Sequence, residues 1–411
     1  MQASSPRINS ERLWGALMQL ATIGATPAGG VCRLALSEED RQAREQLMGW
    51  CRQVGCVIEI DAVGNIFARR EGRSAGAPVV MSGSHLDTQP NGGRFDGAYG
   101  VMAALEVLRV LHEQHITTDH AFELVVWSNE EGTRFAPSMM GSMAFAGLLS
   151  ERDVLDRKDM QGRRYGDALA AIGQFGQGRS DRLIAAYYEA HIEQGPILER
   201  ENCTIGVVTG GQGQKWFDLT LNGQAAHAGS TPMAGRRDAL LGAARIIDAL
   251  RKIATRFAPG VATVGELHVT PNSRNVIPGQ VMMTIEIRHP RDSVRDQMEG
   301  EFRQALGAIA SDECLTFSVE TKLTQPATVF DTDCVSRVRD AARRLGYRHM
   351  DIVSGAAHDA IAIARVAPTA MIFVPCAGGI SHDESESATP DDLAAGAEVL
   401  LQAVLESCRR I

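Results

Sequence analysis

Four stretches of the chain end in residues able to bind a metal ion or move a proton, and each ends an apolar run. His85 and Asp87 close VVMSGSHLD, Glu130 and Glu131 close ELVVWSNEE, His191 closes LIAAYYEAH, and His382 follows MIFVPCAGGIS. Ligands of an open parallel sheet bind outside the carboxyl ends of its strands, so four such ends would bring these groups together. Imidazole and carboxylate without cysteine is a donor set suited to zinc, manganese or cobalt at a hydrolytic site. A carboxylate bridging two ions about 3.5–4 Å apart is the arrangement of two-metal hydrolases. Asp96, in GGRFDGAYG, is the natural candidate for that bridge, because glycines let the main chain come close to the ions. Taken singly, it would serve equally as the N-cap of the helix that follows. Residues i and i+2 of a strand face the same way, which predicts that Asp87 holds the far nitrogen of His85 from outside the ligand set. Of the adjacent Glu130 and Glu131, one can bind metal. The other is then free to take a proton from a water whose pKa the metal lowers toward ~7.

These residues need a scaffold. Up to about residue 210, APVVMSGSHLD, AFELVVWSNEEG and LIAAYYEAHIEQG alternate with helical stretches, one of them from Gly97 to His115. Continuous apolar strands interleaved with helices indicate a parallel sheet covered on both faces. The middle of the chain differs. KWFDLTLNG, a helix through DALLGAARIIDALRKIA, the paired runs VATVGELHV and QVMMTIEIRHP, a second helix and LTFSVETKL give a βαββαβ order. That order suits a small antiparallel sheet with both helices on one face. The α/β style then resumes through TAMIFVPCAGGISH and a last helix from DDLAAGAEVLLQAVLES. The expected architecture is therefore an α/β catalytic domain, residues 1–211 and 328–411, with a mostly parallel central sheet. An α+β (ferredoxin-like) lid or dimerisation domain, residues 212–327, is inserted into it.

Composition narrows the partners. The 411 residues carry 41 Lys and Arg against 50 Asp and Glu, a net charge of −9, and an acidic surface repels nucleic acid and anionic membranes. No apolar stretch approaches the roughly 18 residues a membrane helix needs, so a small soluble substrate is expected. The eight cysteines form no CxxC pair, and reduced thiols fit a cytoplasmic setting. Two apparent motifs fall away. Gly72-Arg73-Ser74-Ala75-Gly76 precedes a strand, whereas the GxSxG nucleophile elbow must follow one. HEQH at 112–115 lacks the spacing of a zinc-binding HExxH.

GSHLDTQPNGGRFDGAYGV, NEEGTRF, EAHIEQGPILE, AHAGSTPM, NVIPGQV, SGAAHDA and GISHDESES together resemble the hydantoinase/carbamoylase amidases. That group includes N-carbamoyl-L-amino-acid hydrolases, β-ureidopropionases and allantoate amidohydrolases, and is related to dinuclear zinc aminoacylases and carboxypeptidases. The resemblance runs from about residue 10 to the C-terminus. It implies two divalent ions, zinc by default with manganese, cobalt or nickel also suited, on His85, Asp96, Glu131, His191 and His382. Asp96 would bridge them and Glu130 would be the general base. It implies that Arg288 binds the substrate carboxylate with Gln194 and Asn275 beside it, and that His358 lines the pocket. His227 would reach the active site of a partner subunit in a homodimer joined through the lid and steady the tetrahedral intermediate. Ala357 stands where many relatives have glycine, which alters the pocket's shape. The activity implied is hydrolysis of the carbamoyl C–N bond of N-carbamoyl-L-amino acids or N-carbamoyl-β-alanine. Alternatives are an allantoate amidohydrolase, a dipeptidase or aminoacylase, and a metal-containing binding protein without catalysis. An intact Glu130 beside all five ligands speaks against the last.

Overall fold

A computed structural model describes residues 6–177 and 182–409. The chain divides into two compact units, Gly210–Thr328 forming one and the described residues on either side of it the other.

The larger unit is built on a nine-stranded sheet. Its strands are β1 (Val57–Ile60), β2 (Ile66–Arg70), β3 (Val79–His85), β4 (Phe122–Trp127), β5 (Ile184–Ile192) and β6 (Ile205–Gly211). After the inserted unit, with β7 (Gly213–Asn222), β8 (Ala226–His227), β9 (Val261–Thr270), β10 (Val276–Ile277), β11 (Gln280–His289) and β12 (Thr316–Gln325), come β13 (Thr328–Val329), β14 (His349–Ser354) and β15 (Thr369–Val374). The order is β1-β2-β4-β3-β5-β15-β6-β13, with β14 also on β6. The four central strands β4, β3, β5 and β15 run parallel. The flanks are antiparallel, β2 on β4 and β6 on β15. Every residue of β3, β4 and β15 is buried. Their sequences are therefore unbroken apolar runs rather than the alternating pattern of a half-wet sheet. The helix Ala98–Glu113 is buried nearly all round. It packs with Ser10–Leu20 and Pro390–Ser407 in the same core as the sheet. Thr389 caps the last of these by accepting from Asp392 N at 3.1 Å, with Pro390 in the first turn, where a missing N–H costs nothing.

The smaller unit has a four-stranded antiparallel sheet, β12-β7-β11-β9. Helices Ala239–Arg256 and Asp292–Asp312 share a separate core with it. Phe217, Leu219 and Leu221 of β7 and Val281, Met283, Ile285 and Ile287 of β11 point inward and alternate with more exposed residues, the period-2 pattern of a sheet covered on one face. The two-stranded β8–β10 ribbon pairs His227 with Val276. Among the described residues no helix is long and apolar enough to cross a membrane, and all eight cysteines are free thiols.

Candidate metal centre

The carboxyl ends of β3, β4 and β5, and the loop after β15, deliver the groups that the pattern of runs singled out. Asp96 lies at their centre. Its Oδ1 is 3.6 Å from His85 Nε2 and 3.2 Å from His191 Nε2. Its Oδ2 is 3.2 Å from His382 Nε2, which is in turn 3.5 Å from Glu131 Oε2. Two donor clusters result, His85–Asp96–His191 and Asp96–Glu131–His382, each tight enough to surround one ion. The first is fully buried, while the His382 side chain is half exposed. Asp96 does not cap its helix. Gly97 occupies that position with φ 63° and no side-chain cap is made. A Cβ at Gly97 would lie 2.4 Å from the His85 ring, so only glycine lets this loop pass.

The imidazoles are oriented from behind. His85 Nδ1 lies 2.9 Å from the Asp87 carbonyl oxygen and His191 Nδ1 lies 2.8 Å from that of Ile192. A carbonyl only accepts, so each Nδ1 carries hydrogen and each Nε2 lone pair faces Asp96. The Asp87 carboxylate does not do this work, contrary to the sequence expectation. It is 4.0 Å from His85 Nδ1 and accepts instead from the main-chain N–H groups of Glu130 and Glu131, both at 3.2 Å. The i, i+2 rule fails here because β3 ends at His85 and the alternation does not extend past it.

Electrostatics fit a cation. Among the described residues, the cationic groups within ion-pair reach of Asp96, Glu130 and Glu131 are all imidazoles. Burial, and then the Asp96 charge, pushes the Glu131 carboxyl up to about 7. Burial also raises Glu130 well above the usual range, with Asp359 and Glu131 adding to it against His85. Burial alone would lower His85 and His191. Glu130, Asp96 and Asp87 around the first ring, and Asp96 and Glu189 around the second, overcome it and raise both. Surroundings that draw a proton to these nitrogens draw a divalent ion for the same reason, and the nitrogen and oxygen donors suit one. Glu130 Oε2 lies 3.6 Å from His85 Nε2 but belongs to neither donor cluster. His358 packs edge-on against His191 at 4.5 Å between ring centroids. Burial, and then His191, pushes it well below its ordinary value, so it is a neutral ring.

A family model described as Peptidase family M20/M25/M40 matches residues 81–406. Among solved structures, an amidase of the hydantoinase/carbamoylase family from Burkholderia multivorans superposes with TM-score 0.96 at 51% identity, covering 99% of this chain and 100% of that one. The chain belongs to this family, in its hydantoinase/carbamoylase branch. This amidase is 44% identical to the N-carbamoyl-L-amino-acid amidohydrolase of Rhizobium meliloti over 98% of this chain and 97% of the relative. It is 39% identical to the N-carbamoyl-L-amino acid amidohydrolase of Geobacillus stearothermophilus, over 97% of this chain and 98% of the relative. The expectations of an α/β fold with a mostly parallel sheet and of an amidohydrolase are met.

Several contacts around the amidase site could not be read from the apolar runs, although their residues lie in the motifs quoted above. Glu386 accepts from Phe95 N at 2.9 Å and Asp96 N at 3.2 Å through Oε1, while its Oε2 accepts from Ser381 Oγ at 2.9 Å. Ser381 Oγ also lies 3.2 Å from Asp96 Oδ2. Glu189, buried on β5, accepts from Ser84 Oγ at 2.7 Å and Ala360 N at 2.8 Å, tying His358's turn to the sheet. Gln194 donates to Asp96 Oδ2 at 2.9 Å, so its amide nitrogen is engaged with the central carboxylate. Gln194, His382 and Asn129 all have φ between 55° and 57°, backbone strain of the kind that gathers at functional sites. Ala357 is half-buried directly before His358.

The remaining expected residues lie in the smaller unit. His227 is exposed on β8, and its Nδ1 accepts from the main-chain N–H groups of Gly229 and Ser230, both at 3.1 Å. In the neutral ring the proton therefore sits on Nε2, available as a donor. Asn275 lies beside it, its carbonyl accepting from Ala228 N at 2.9 Å. Arg288 stands on the β11 face away from the unit's core, with Nη2 2.7 Å from Glu286 Oε1.

Proposed function

We propose that this amidase hydrolyses the carbamoyl C–N bond of N-carbamoyl-L-amino acids or N-carbamoyl-β-alanine, using two divalent ions. His85, Asp96 and His191 would hold one ion and Asp96, Glu131 and His382 the other, with Asp96 as the bridge. The observation that carries the reading is the division of Asp96, one oxygen toward each donor cluster. The identities to the N-carbamoyl-L-amino-acid amidohydrolases support the substrate class. When bound, ions there supply Lewis acidity and make a water acidic enough to attack at neutral pH. Glu130 takes the proton of the attacking water as oxygen adds to the ureido carbonyl carbon, and returns it to the departing amino nitrogen as the C–N bond breaks. The products are the amino acid and carbamate, which gives carbon dioxide and ammonia. His227, with hydrogen on Nε2, is suited to donate to the developing oxyanion, and would serve a second copy of the chain in a homodimer joined through the smaller unit. Arg288 and Asn275 would take the substrate carboxylate, a planar guanidinium matching it bidentately. Gln194, His358 and Ala357 would shape the pocket and Asp87 would fix the Glu130–Glu131 loop. The free thiols support a cytoplasmic setting.

The test is to strip and restore metal, then follow ammonia and amino-acid release from N-carbamoyl-L-amino acids, N-carbamoyl-β-alanine, allantoate and dipeptides. Metal-dependent turnover of carbamoyl amino acids is expected. Turnover of allantoate or dipeptides alone would replace the reading. Glu130→Gln should keep both ions and lose about 10²–10⁴-fold in kcat, the usual worth of a general base.

A further inference from the structure

Gln89 follows Thr88 in the loop beyond β3, between the His85 and Asp96 segments, and is only half-buried. Its main-chain N–H lies 3.1 Å from Glu131 Oε1, and its side-chain Nε2 lies 2.6 Å from Glu131 Oε2. One residue thus donates to both oxygens of one carboxylate. The amide is itself oriented, since Thr133 Oγ1 donates to Gln89 Oε1 at 2.7 Å. Ionised carboxylate oxygens only accept, so the NH₂ end must face Glu131 and the C=O end Thr133, which leaves no freedom to flip the amide. The main chain is fixed as well. Pro90 follows and restricts Gln89 to extended conformations, and Thr88 Oγ1 donates to the Gln89 carbonyl at 2.9 Å.

We infer that Gln89, oriented by Thr133, is a positioning residue that holds the Glu131 carboxylate toward Asp96 and His382. The terminal torsion of a glutamate is broad and roughly two-fold, so an unheld Glu131 would spread over many orientations. Two N–H donors, one per oxygen, fix its plane. Chemistry explains the choice of an amide. A lysine or arginine here would neutralise the charge that a cation needs, and a carboxylate would repel Glu131. Glutamine donates without adding charge. The clamp serves one cluster only. His85 and His191 are locked by main-chain carbonyls in a buried setting, whereas the His382 ring is half exposed. Gln89 therefore compensates on the Glu131 side for the looseness of the more open cluster.

The inference rests on the two-ion reading above, and one experiment separates their failures. Metal-stripped full-length protein and the variants Gln89→Leu and Thr133→Val would be titrated with Zn²⁺ in competition with a chromophoric chelator. Metal content after dialysis and the thermal midpoint of the stripped proteins would be measured alongside. Wild type is expected to take up two ions. Gln89→Leu should hold the first as wild type does and the second about 10–100-fold more weakly, the usual cost of losing an outer partner of a ligand. Its stripped form should melt with wild type. Thr133→Val should move the second ion in the same direction by less. If wild type binds two ions and Gln89→Leu binds both with unchanged affinity, the inference is overturned. Equal weakening of both ions, or a stripped variant that melts far below wild type, would also overturn it, by showing a general structural role. If wild type takes up no ion, the two-ion reading itself fails.

Discussion

Asp96 owes its position to Glu386, whose Oε1 receives two consecutive main-chain N–H groups, Phe95 and Asp96, while Oε2 receives Ser381. Removing that carboxylate strands two buried donors, each costing about 1–3 kcal/mol, and frees the loop that carries the central ligand. Glu386→Ala should lower Zn²⁺ affinity about 10–100-fold. Glu386→Gln should restore most of it, since an amide oxygen can still accept from both N–H groups and Ser381 can rotate to accept from the NH₂. Chelator competition on both variants checks this, and equal affinities for Ala and Gln would refute it. Glu386 stands among other acids in the motif GISHDESES, where no spacing sets it apart, and its role shows only when the loop folds over Asp96. His85, Asp96, Glu130, Glu131, His191 and His382 were legible because each ends a buried run or sits among glycines. Asp87 was legible as important but not in its role. Which atom of a residue beyond a strand end makes the contact depends on the turn, and no periodicity specifies that.

At the scale of elements, the four parallel strands could be read because burial on both faces makes them continuous apolar runs. β1 and β2 carry mixed sequences, VIEI and IFARR, and pair with each other as a hairpin, and the attachment of β2 to the sheet is set by β4, distant in sequence. β4 holds one exception to its own pattern. Glu123 is fully buried, neither carboxylate oxygen has a hydrogen-bond partner, and Arg182 Nε stands 3.5 Å away. Burial raises the carboxyl from 4.5 to about 7 against the pull of Arg182. Between those values the folded protein holds a proton that the unfolded chain has released, so stability falls as pH rises through this window. At the usual conversion the loss is on the order of 3 kcal/mol. Urea midpoints at pH 5 and pH 8 should therefore drop for wild type and drop less for Glu123→Gln, which mimics the protonated form at every pH. Identical drops in the two proteins would show that Glu123 is ionised throughout, held by Arg182.

At the scale of the whole molecule, the smaller unit has a core of its own. Phe217, Leu219, Leu221, Ile246, Val281, Ile285 and Phe302 are buried together, and burying a large apolar side chain contributes about 1.5–3 kcal/mol. Among the described residues, β12, β7, β11 and β9 pair only with one another. Residues 210–328 expressed alone should give a soluble, cooperative thermal transition by circular dichroism, and a non-cooperative melt would refute this. The position of that unit in the chain also sets a timetable. His85, Asp96 and His191 and strands β3, β4 and β5 precede it and are made with the first half, whereas Glu386, which holds the Asp96 loop, comes after it. β15, the other neighbour of β5, and His382 come after it. From His191 to His382 is 191 positions, roughly 10–40 seconds of synthesis at ordinary ribosomal speed. During that interval the edge of β5 is bare, the Asp96 loop lacks Glu386 and the second cluster lacks His382, so a nascent chain is most open to mispairing while the insert is being translated.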